Sequence, residues 1–212
     1  VKEETGLLTA TEVATAKHVE LCLKHGVDIL WIGARTTANP FSVQEIADSL
    51  KGVDIPVMIK NPINADLQLW MGAIERIHHA GIDKIVAIHR GFSVAHKLTL
   101  RNDPIWKIPI DLKMKLPNIP IINDPSHITG NRDLILKVAQ KAMDLDMDGL
   151  IIETHPDPDK AWSDASQQIT PQKLIEIINT LKIKTERSLN KDFDNELEVL
   201  RHQIDRVDHE IL

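Results

Sequence analysis

Short apolar runs alternate along the chain with longer segments in which apolar residues recur at helical spacing. Each run is too short for a helix and is closed by turn residues, a pattern typical of strands buried in a parallel sheet. A helical pattern follows each run except the fourth, after which a Pro-punctuated connection spans residues 101–117. This alternation predicts βαβ units and an α/β fold. The runs cover residues 7–13, 29–32, 57–59, 85–88, 119–122 and 150–152.

Charged residues follow almost every predicted strand, which favours a (β/α)8 TIM barrel over a doubly wound sheet. A barrel of this type has eight strands, whereas the pattern shows six. Residues 1–6 resemble the end of a helix that turns into a strand. We therefore expect residues 1–182 to form a partial barrel of six βα units, with the first two units missing from this chain.

The pattern changes in the last thirty residues. Residues 183–195 are polar and lack a periodic apolar face, which predicts a linker. In residues 196–212 apolar side chains recur at alternating spacings of three and four, which is typical of a helix that pairs with other helices. The alternative is a solvated tail whose helix packs back on the barrel. We expect this helix to begin an all-α domain that is cut off at residue 212.

Composition narrows the function classes. The chain has 212 residues and a formal net charge of -6, which argues against a nucleic-acid partner. An anionic substrate would therefore need a local cluster of Lys and Arg. No apolar run approaches the roughly 18 residues that a membrane span needs, and no signal peptide opens the chain. The single cysteine, Cys22, cannot form an internal disulfide, so we expect a cytoplasmic protein without a membrane partner.

Groups that bind metals follow the fifth and sixth predicted strands. Asp124 and His127 come after the fifth strand, and Glu153, His155 and Asp157 come after the sixth. The carboxyl ends of parallel strands form the active face of such folds, so a His, a Glu and an Asp delivered there could share one divalent cation. The alternative is that these residues cap helices and turns, as Asp and Pro often do. Taken singly, each residue is better explained as a cap or turn residue. Taken together, the set is better explained as a metal site.

Several motifs give the chain a specific resemblance. Over residues 1–181 their order and spacing resemble those of 3-deoxy-7-phosphoheptulonate (DAHP) synthases, most closely the type I beta group. The resemblance implies a TIM barrel that condenses phosphoenolpyruvate with erythrose 4-phosphate in the first step of the shikimate pathway, an aldol-like reaction. The motifs are Trp31-Ile32-Gly33-Ala34-Arg35, Asp124-Pro125-Ser126-His127, Gly130-Asn131-Arg132-Asp133, Glu153-Thr154-His155-Pro156 and Ser163-Asp164-Ala165.

The family holds a divalent metal ion (Mn, Fe, Co or Zn) with a Cys, a His, a Glu and an Asp. The resemblance assigns the last three roles to His127, Glu153 and Asp164. The Cys belongs to a strand that this chain lacks. Cys22 lies on an apolar helical face, so we assign it to the core and not to the metal.

The resemblance also implies an anion site. The family's phosphoenolpyruvate-binding residues correspond to Ala34, Arg35, Lys60 and Arg90. Arg offers a planar fork for phosphate oxygens and Lys offers a point charge, so these residue types suit the substrate. Asp164 is expected to contact substrate as well as metal.

Catalytic roles are expected for Lys60 and His127, while Glu12 and His127 remain alternatives for activating the water molecule. Many relatives read Lys-Arg-Gly and Glu-Arg-Gly where this chain has Lys60-Asn61-Pro62 and His89-Arg90-Gly91. The cations are kept, but the roles of Asn61 and His89 stay open.

The tail around Arg201 resembles the first helix of an AroQ-type chorismate mutase, as in bifunctional enzymes whose mutase domain follows the synthase. This implies that chorismate binds to Arg201 in the complete protein, which would be at least a homodimer. Because the first two βα units are expected to be missing, we expect this chain alone to bind metal weakly and to show no synthase turnover. Two alternatives remain. One is the related 3-deoxy-octulosonate 8-phosphate synthase family, whose corresponding strand end lacks Gly-Ala-Arg. The other is an inactive fragment that acts as an interaction scaffold.

Overall fold

The computed structural model describes residues 2–95, 99–184 and 191–211. Its centre is a six-stranded sheet with the order β1-β2-β3-β4-β5-β6, in which every neighbouring pair is parallel. The predicted parallel α/β sheet of six strands is therefore confirmed. Among the helices that the structure describes, none combines the length and the apolar character needed to span a membrane.

Helices follow the strands in a regular succession. In chain order the elements are α1 (Lys2–Thr5), β1 (Ala10–Val13), α2 (Ala16–Lys24), β2 (Ile29–Ile32), α3 (Ala34–Thr37), α4 (Pro40–Ser49), β3 (Val57–Lys60), α5 (Leu67–His79), β4 (Ile85–His89), α6 (Lys107–Lys115), β5 (Ile121–Asn123), α7 (Pro125–Thr129), α8 (Ile135–Asp144), β6 (Gly149–Leu150), α9 (Pro171–Thr180) and α10 (Lys191–Ile211).

Alternation along the strands separates the core from the site. In β2 and β3, Leu30, Ile32 and Ile59 are fully buried and pack with the helices in one hydrophobic cluster. Successive strand residues point to opposite faces, so the alternate positions, such as Trp31 and Lys60, lie on the other face of the sheet. The helix layer thus supplies the packing energy, and the opposite face is left for polar and charged groups.

The first strand is shorter than predicted. The apolar run at residues 7–13 suggested a strand of that length, but β1 begins at Ala10. Pairing with β2 begins at Ile29, opposite Ala10, so the preceding residues have no strand to pair with. Leu7 and Leu8 are accordingly 67% and 69% exposed.

The connection at residues 101–117, for which the sequence pattern showed no helix, contains α6. Pro109 lies in its first turn, where a backbone N–H would have no acceptor within the helix, so proline does not break it. The prolines that hid this helix from sequence reasoning are compatible with its start.

The chain divides into two compact units, Val1–Lys182 and Ile183–Leu212. In the second unit α10 begins at Lys191, so the polar linker predicted for residues 183–195 is helical from that point. Asp192 and Asp194 lie in the first turn, where carboxylates favour the positive end of the helix dipole. These acidic residues explain why the helix begins before the segment in which apolar residues recur.

We predict that Trp70→Ala lowers the free energy of unfolding by about 3–5 kcal/mol, because Trp70 is fully buried and a cavity would remain. The change also removes the indole N–H that donates to Ile59 O at 3.1 Å. The matched control is Trp162→Ala, because Trp162 is fully exposed and its loss should change stability by less than about 0.5 kcal/mol. Urea denaturation of the variants measures both effects, and equal losses would contradict this assignment of the core.

Candidate active site

A cavity of about 370 Å³ lies at the carboxyl ends of the strands. Each strand, or the loop that follows it, contributes to the wall, as expected where successive parallel strands end at one edge. The cavity includes every substrate or metal residue that the family resemblance assigns within the first unit. Its lining residues are Glu12, Trp31, Gly33, Ala34, Arg35, Lys60, Ile63, Arg90, Arg101, His127, Glu153, Ser163 and Asp164.

Three of these side chains are placed to share a metal ion. One ligand atom from each of His127, Glu153 and Asp164 lies within 4.8 Å of the other two. His127 Nε2 is 3.8 Å from Glu153 Oε1. Two atoms that each lie about 2.1 Å from one ion are at most about 4.2 Å apart, so small side-chain movements would complete shared coordination. One imidazole and two carboxylates form a donor set that fits a divalent transition metal.

Asp124 fixes the orientation of His127. As the N-cap of α7, its Oδ1 accepts a hydrogen bond from the backbone N–H of His127 at 3.1 Å. The same carboxylate lies 2.9 Å from Nδ1 of the His127 ring through Oδ2. With Nδ1 bound to Asp124, Nε2 is the nitrogen that faces Glu153. A carboxylate behind an imidazole is a common support for a metal ligand.

Asp124 also forms a buried ion pair with Lys60. Lys60 Nζ is 2.9 Å from Asp124 Oδ2, and the two side chains are 6% and 2% exposed. Nζ also lies 4.5 Å from the centre of the Trp31 ring, a cation–π contact. Burial raises the pKa of the Asp124 carboxyl, but the hydrogen bond from His127 and the charge of Lys60 outweigh it and lower the pKa to about 2. Asp124 is therefore ionised at neutral pH and balances the buried ammonium group.

Two predicted arginines in the cavity differ in how they are held. Arg90 donates from Nη1 to Asn102 Oδ1 at 3.0 Å, and its backbone N–H donates to Asn61 Oδ1 at 2.7 Å. By contrast, no hydrogen bond or ion pair joins the Arg35 guanidinium to another residue in the part of the chain that the structure describes. Arg35 is thus available to bind an anion without first breaking a protein contact.

Sequence reasoning missed two residues of the site, Arg101 and Gln167. Arg101 lines the cavity and donates from Nη1 to Asp164 Oδ1 at 2.6 Å, a bond that lowers the pKa of the Asp164 carboxyl. Gln167 is fully buried, accepts from Arg101 Nη1 at 2.6 Å and donates to Glu153 Oε2 at 2.7 Å. Arg101 could have been noticed as a cation in the connection after the fourth strand. Gln167 carries no charge, and its sequence context offered no signal.

Asn61 and His89, whose roles the sequence left open, act within the protein. Asn61 donates to Gly91 O at 2.8 Å and accepts the Arg90 backbone N–H, so it fixes the turn that presents Arg90. The His89 ring is fully buried, with Nε2 2.7 Å from Pro104 O and Nδ1 3.0 Å from Asn123 Nδ2. Burial lowers the pKa of His89 to about 4, so the ring is neutral. In that state Nε2 donates and Nδ1 accepts.

The remaining candidates lie outside the metal cluster. Glu12 lines the cavity, but His155 and Asp157 do not. Instead, His155 accepts a hydrogen bond from the backbone N–H of Asp157 at 3.0 Å. Cys22 lies on α2 and packs against the hydrophobic core, in line with its assignment there. Arg201 lies on α10 in the second unit, where it pairs with Glu198 at 3.2 Å.

Known structures share this architecture. The crystal structure of DAHP synthase from Thermotoga maritima matches with a TM-score of 0.74 at 26% identity, covering 84% of this chain and 50% of that chain. A truncated form of the 3-deoxy-D-arabino-heptulosonate 7-phosphate synthase from the same organism matches with a TM-score of 0.72, covering 84% of this chain and 65% of that chain.

Sequence comparison gives the same picture. Phospho-2-dehydro-3-deoxyheptonate aldolase of Thermotoga maritima is 32% identical over 155 residues, which are 73% of this chain and 44% of that protein. The 2-dehydro-3-deoxyphosphooctonate aldolase of Desulfotalea psychrophila is 28% identical over 123 residues, 51% of this chain and 41% of that protein. The chain thus spans less than half the length of these relatives. A family model, the DAHP synthetase I family, matches residues 1–190, and the chain belongs to that family.

Proposed function

We propose that this chain carries the metal site and the phosphoenolpyruvate site of a DAHP synthase, which condenses phosphoenolpyruvate with erythrose 4-phosphate and releases phosphate. One observation carries the proposal. The cluster of His127, Glu153 and Asp164 opens into the same cavity as four cationic side chains. A divalent ion beside a concentrated positive field suits a reaction between a phosphorylated enol and an aldehyde. The cations are Arg35, Lys60, Arg90 and Arg101.

Phosphoenolpyruvate is a small trianion, and the cavity offers it two kinds of partner. Among the described residues none engages the guanidinium fork of Arg35, and that fork matches phosphate or carboxylate oxygens. Lys60 is held by Asp124 and the Trp31 ring, so its ammonium group acts from a fixed position. A preorganised cation stabilises developing charge without rearranging during the reaction. We assign Arg35 and Arg90 mainly to binding, and Lys60 to both binding and catalysis.

His127, Glu153 and Asp164 would hold the metal ion. When bound, a divalent ion supplies Lewis-acid polarisation of the aldehyde of erythrose 4-phosphate. Asp124 holds Nδ1 of His127 and thereby directs Nε2 toward the cluster. The water that adds to phosphoenolpyruvate needs a base in the cavity. Of the two alternatives, Glu12 lines the cavity, whereas both ring nitrogens of His127 are already engaged, one by Asp124 and the other in the metal cluster.

The second candidate is the octonate branch of these relatives, because several aldolases named for 2-dehydro-3-deoxyphosphooctonate match the chain. The two product names differ by one carbon. Phosphoenolpyruvate supplies three carbons, so a heptonate needs a four-carbon aldose phosphate and an octonate a five-carbon one. The family model and the Gly33-Ala34-Arg35 motif favour the four-carbon acceptor.

We further propose that α10 is the first helix of a chorismate mutase domain that dimerises through it. The support is a stripe of apolar side chains that are about half exposed in the described helix: Leu200 at 54%, Ile204 at 59% and Val207 at 49%. A stripe with this spacing suits the seam of a helix pair. Arg201 lies beside the stripe, so a second copy would bring it to a shared surface.

We predict that Arg35→Ala raises the dissociation constant for phosphoenolpyruvate at least about 10-fold, because a charge-assisted pair is lost. With Mn²⁺ present, titration calorimetry should show little change in the affinity for erythrose 4-phosphate. The control, Arg76→Ala, removes an arginine that donates to Gly72 O within α5 and should change neither constant. In the wild type, tighter binding of a five-carbon than of a four-carbon aldose phosphate would favour the octonate alternative.

We predict that Asp124→Asn lowers the free energy of unfolding by about 3–5 kcal/mol at pH 7, because Lys60 would be buried without its counter-charge. The pKa of Asp124 is lowered from 3.8 to about 2 in the folded state. Its ionisation therefore contributes about 2 kcal/mol above pH 4, and this contribution is lost as the pH falls toward 2. Denaturation of both proteins between pH 3 and 7 should show the gap narrowing below about pH 4. A gap independent of pH would contradict the assignment.

We predict that Ile204→Asp weakens self-association of the chain, because a carboxylate would be buried at the centre of the helix seam. Sedimentation velocity at about 50 µM should show a dimer for the wild type and a monomer for the variant. His202→Asp places the same charge on an exposed residue off the seam and serves as the control. A monomeric wild type would reject dimerisation through α10.

A further inference from the structure

A chain of hydrogen bonds links the two carboxylates of the proposed metal site. Gln167 Nε2 donates to Glu153 Oε2 at 2.7 Å, and Gln167 Oε1 accepts from Arg101 Nη1 at 2.6 Å. The same Nη1 donates to Asp164 Oδ1 at 2.6 Å. The buried Gln167 amide has one donor side and one acceptor side engaged, so its orientation is determined by both neighbours.

The bonds take only one oxygen from each carboxylate. In Glu153 the bonded atom is Oε2, while Oε1 is the atom that lies 3.8 Å from His127 Nε2. In Asp164 the bonded atom is Oδ1, which leaves Oδ2. The bridge therefore engages one oxygen of each carboxylate and leaves the second oxygen for an ion.

Arg101 is itself held by the backbone around α7. The backbone N–H of Arg101 donates to Thr129 O at 3.2 Å. Gly130 has a left-handed backbone with φ of 61°, and a Cβ added there would lie 2.6 Å from Arg101 Cβ. Glycine at this position thus makes room for the arginine stem. The guanidinium is aimed by packing at its base as well as by its hydrogen bonds.

We propose that Arg101 and Gln167 are positioning residues that preset Glu153 and Asp164 for a divalent cation. The inference rests on the proposed metal site and adds the residues that determine its affinity. Partners of metal ligands typically change metal affinity 10- to 100-fold when they are removed. Here both carboxylates are part-exposed, at 31% and 29%, and without the bridge each would sample other rotamers.

Replacing Arg101 tests the inference sharply, because a positioning role and a simple charge effect predict opposite changes in metal affinity. A guanidinium next to a cation site repels the ion, so removing it should tighten metal binding if charge alone matters. If Arg101 positions Asp164, removing it should weaken binding. Gln167→Met removes both hydrogen bonds while keeping a side chain of similar length, so it separates bonding from space filling.

The experiment is a Co²⁺ titration followed by the visible absorption of the bound ion, on wild type, Arg101→Met, Arg101→Lys and Gln167→Met. We expect Arg101→Met and Gln167→Met to weaken binding about 10-fold or more, with an altered absorption spectrum. Arg101→Lys should fall between, because lysine keeps the charge and a donor nitrogen, but its flexible stem holds that nitrogen less firmly than the planar guanidinium does. The matched controls Arg76→Met and Gln44→Met lie on α5 and α4 and should bind as the wild type does.

Unchanged affinity in Gln167→Met, or tighter binding in Arg101→Met, would overturn the inference. Thermal unfolding of the metal-free proteins identifies a folding defect. If Gln167→Met is misfolded, the Arg101 variants alone test the inference. The Arg101 side chain is 45% exposed, so its replacement should leave the fold intact. The proposed function has its own test. It fails if the wild type does not bind Co²⁺, or if His127→Ala binds Co²⁺ as tightly as the wild type does.

Discussion

The buried pair of Lys60 and Asp124 is the constraint on which the rest of the site depends. A lysine side chain that is only 6% exposed leaves its ammonium group with little hydration, so the charge needs a counter-charge at contact distance. Asp124 meets that need and uses the same carboxylate to cap α7 and to hold the His127 ring. The end of β3, the start of α7 and the direction of the His127 ring are therefore set together. Replacing either partner would disturb all three.

A second link joins the arginines of the cavity to the cluster of His127, Glu153 and Asp164. Arg101 contacts Asp164, and the next residue, Asn102, accepts from Arg90 and donates to the backbone carbonyl of His127 at 2.7 Å. Asn102 is 5% exposed and its backbone N–H donates to Ile128 O, so it is a rigid connector. Movement of Arg90 on binding an anion would thus reach the backbone that carries His127. The two halves of the site form one hydrogen-bonded structure.

Much of this could be predicted from the sequence because it depends on local patterns. Strand runs and the charged residues that follow them indicated the parallel sheet and the edge where Lys60, His127 and Glu153 meet. The supporting residues could not be predicted in the same way. Gln167 and Arg101 are 66 positions apart, and they become neighbours only when two long loops fold over the same strand ends. A neutral amide or an arginine in such a loop has no distinguishing local pattern.

The departures from the family pattern at Asn61 and His89 become clear only from the pairing register of β3 and β4. Lys60, the last residue of β3, pairs with Ile88 of β4, so the next residues, Asn61 and His89, lie side by side where these strands end. Relatives that carry Arg and Glu there place one charge of each sign at these positions. Here the amide is neutral, and burial keeps the imidazole neutral by lowering its pKa to about 4. The exchange removes equal and opposite charges, so the net charge around Lys60 and Arg90 is unchanged. Neutral groups at this depth are satisfied by backbone and amide partners, and the positive field of the cavity is left to the cationic side chains that line it.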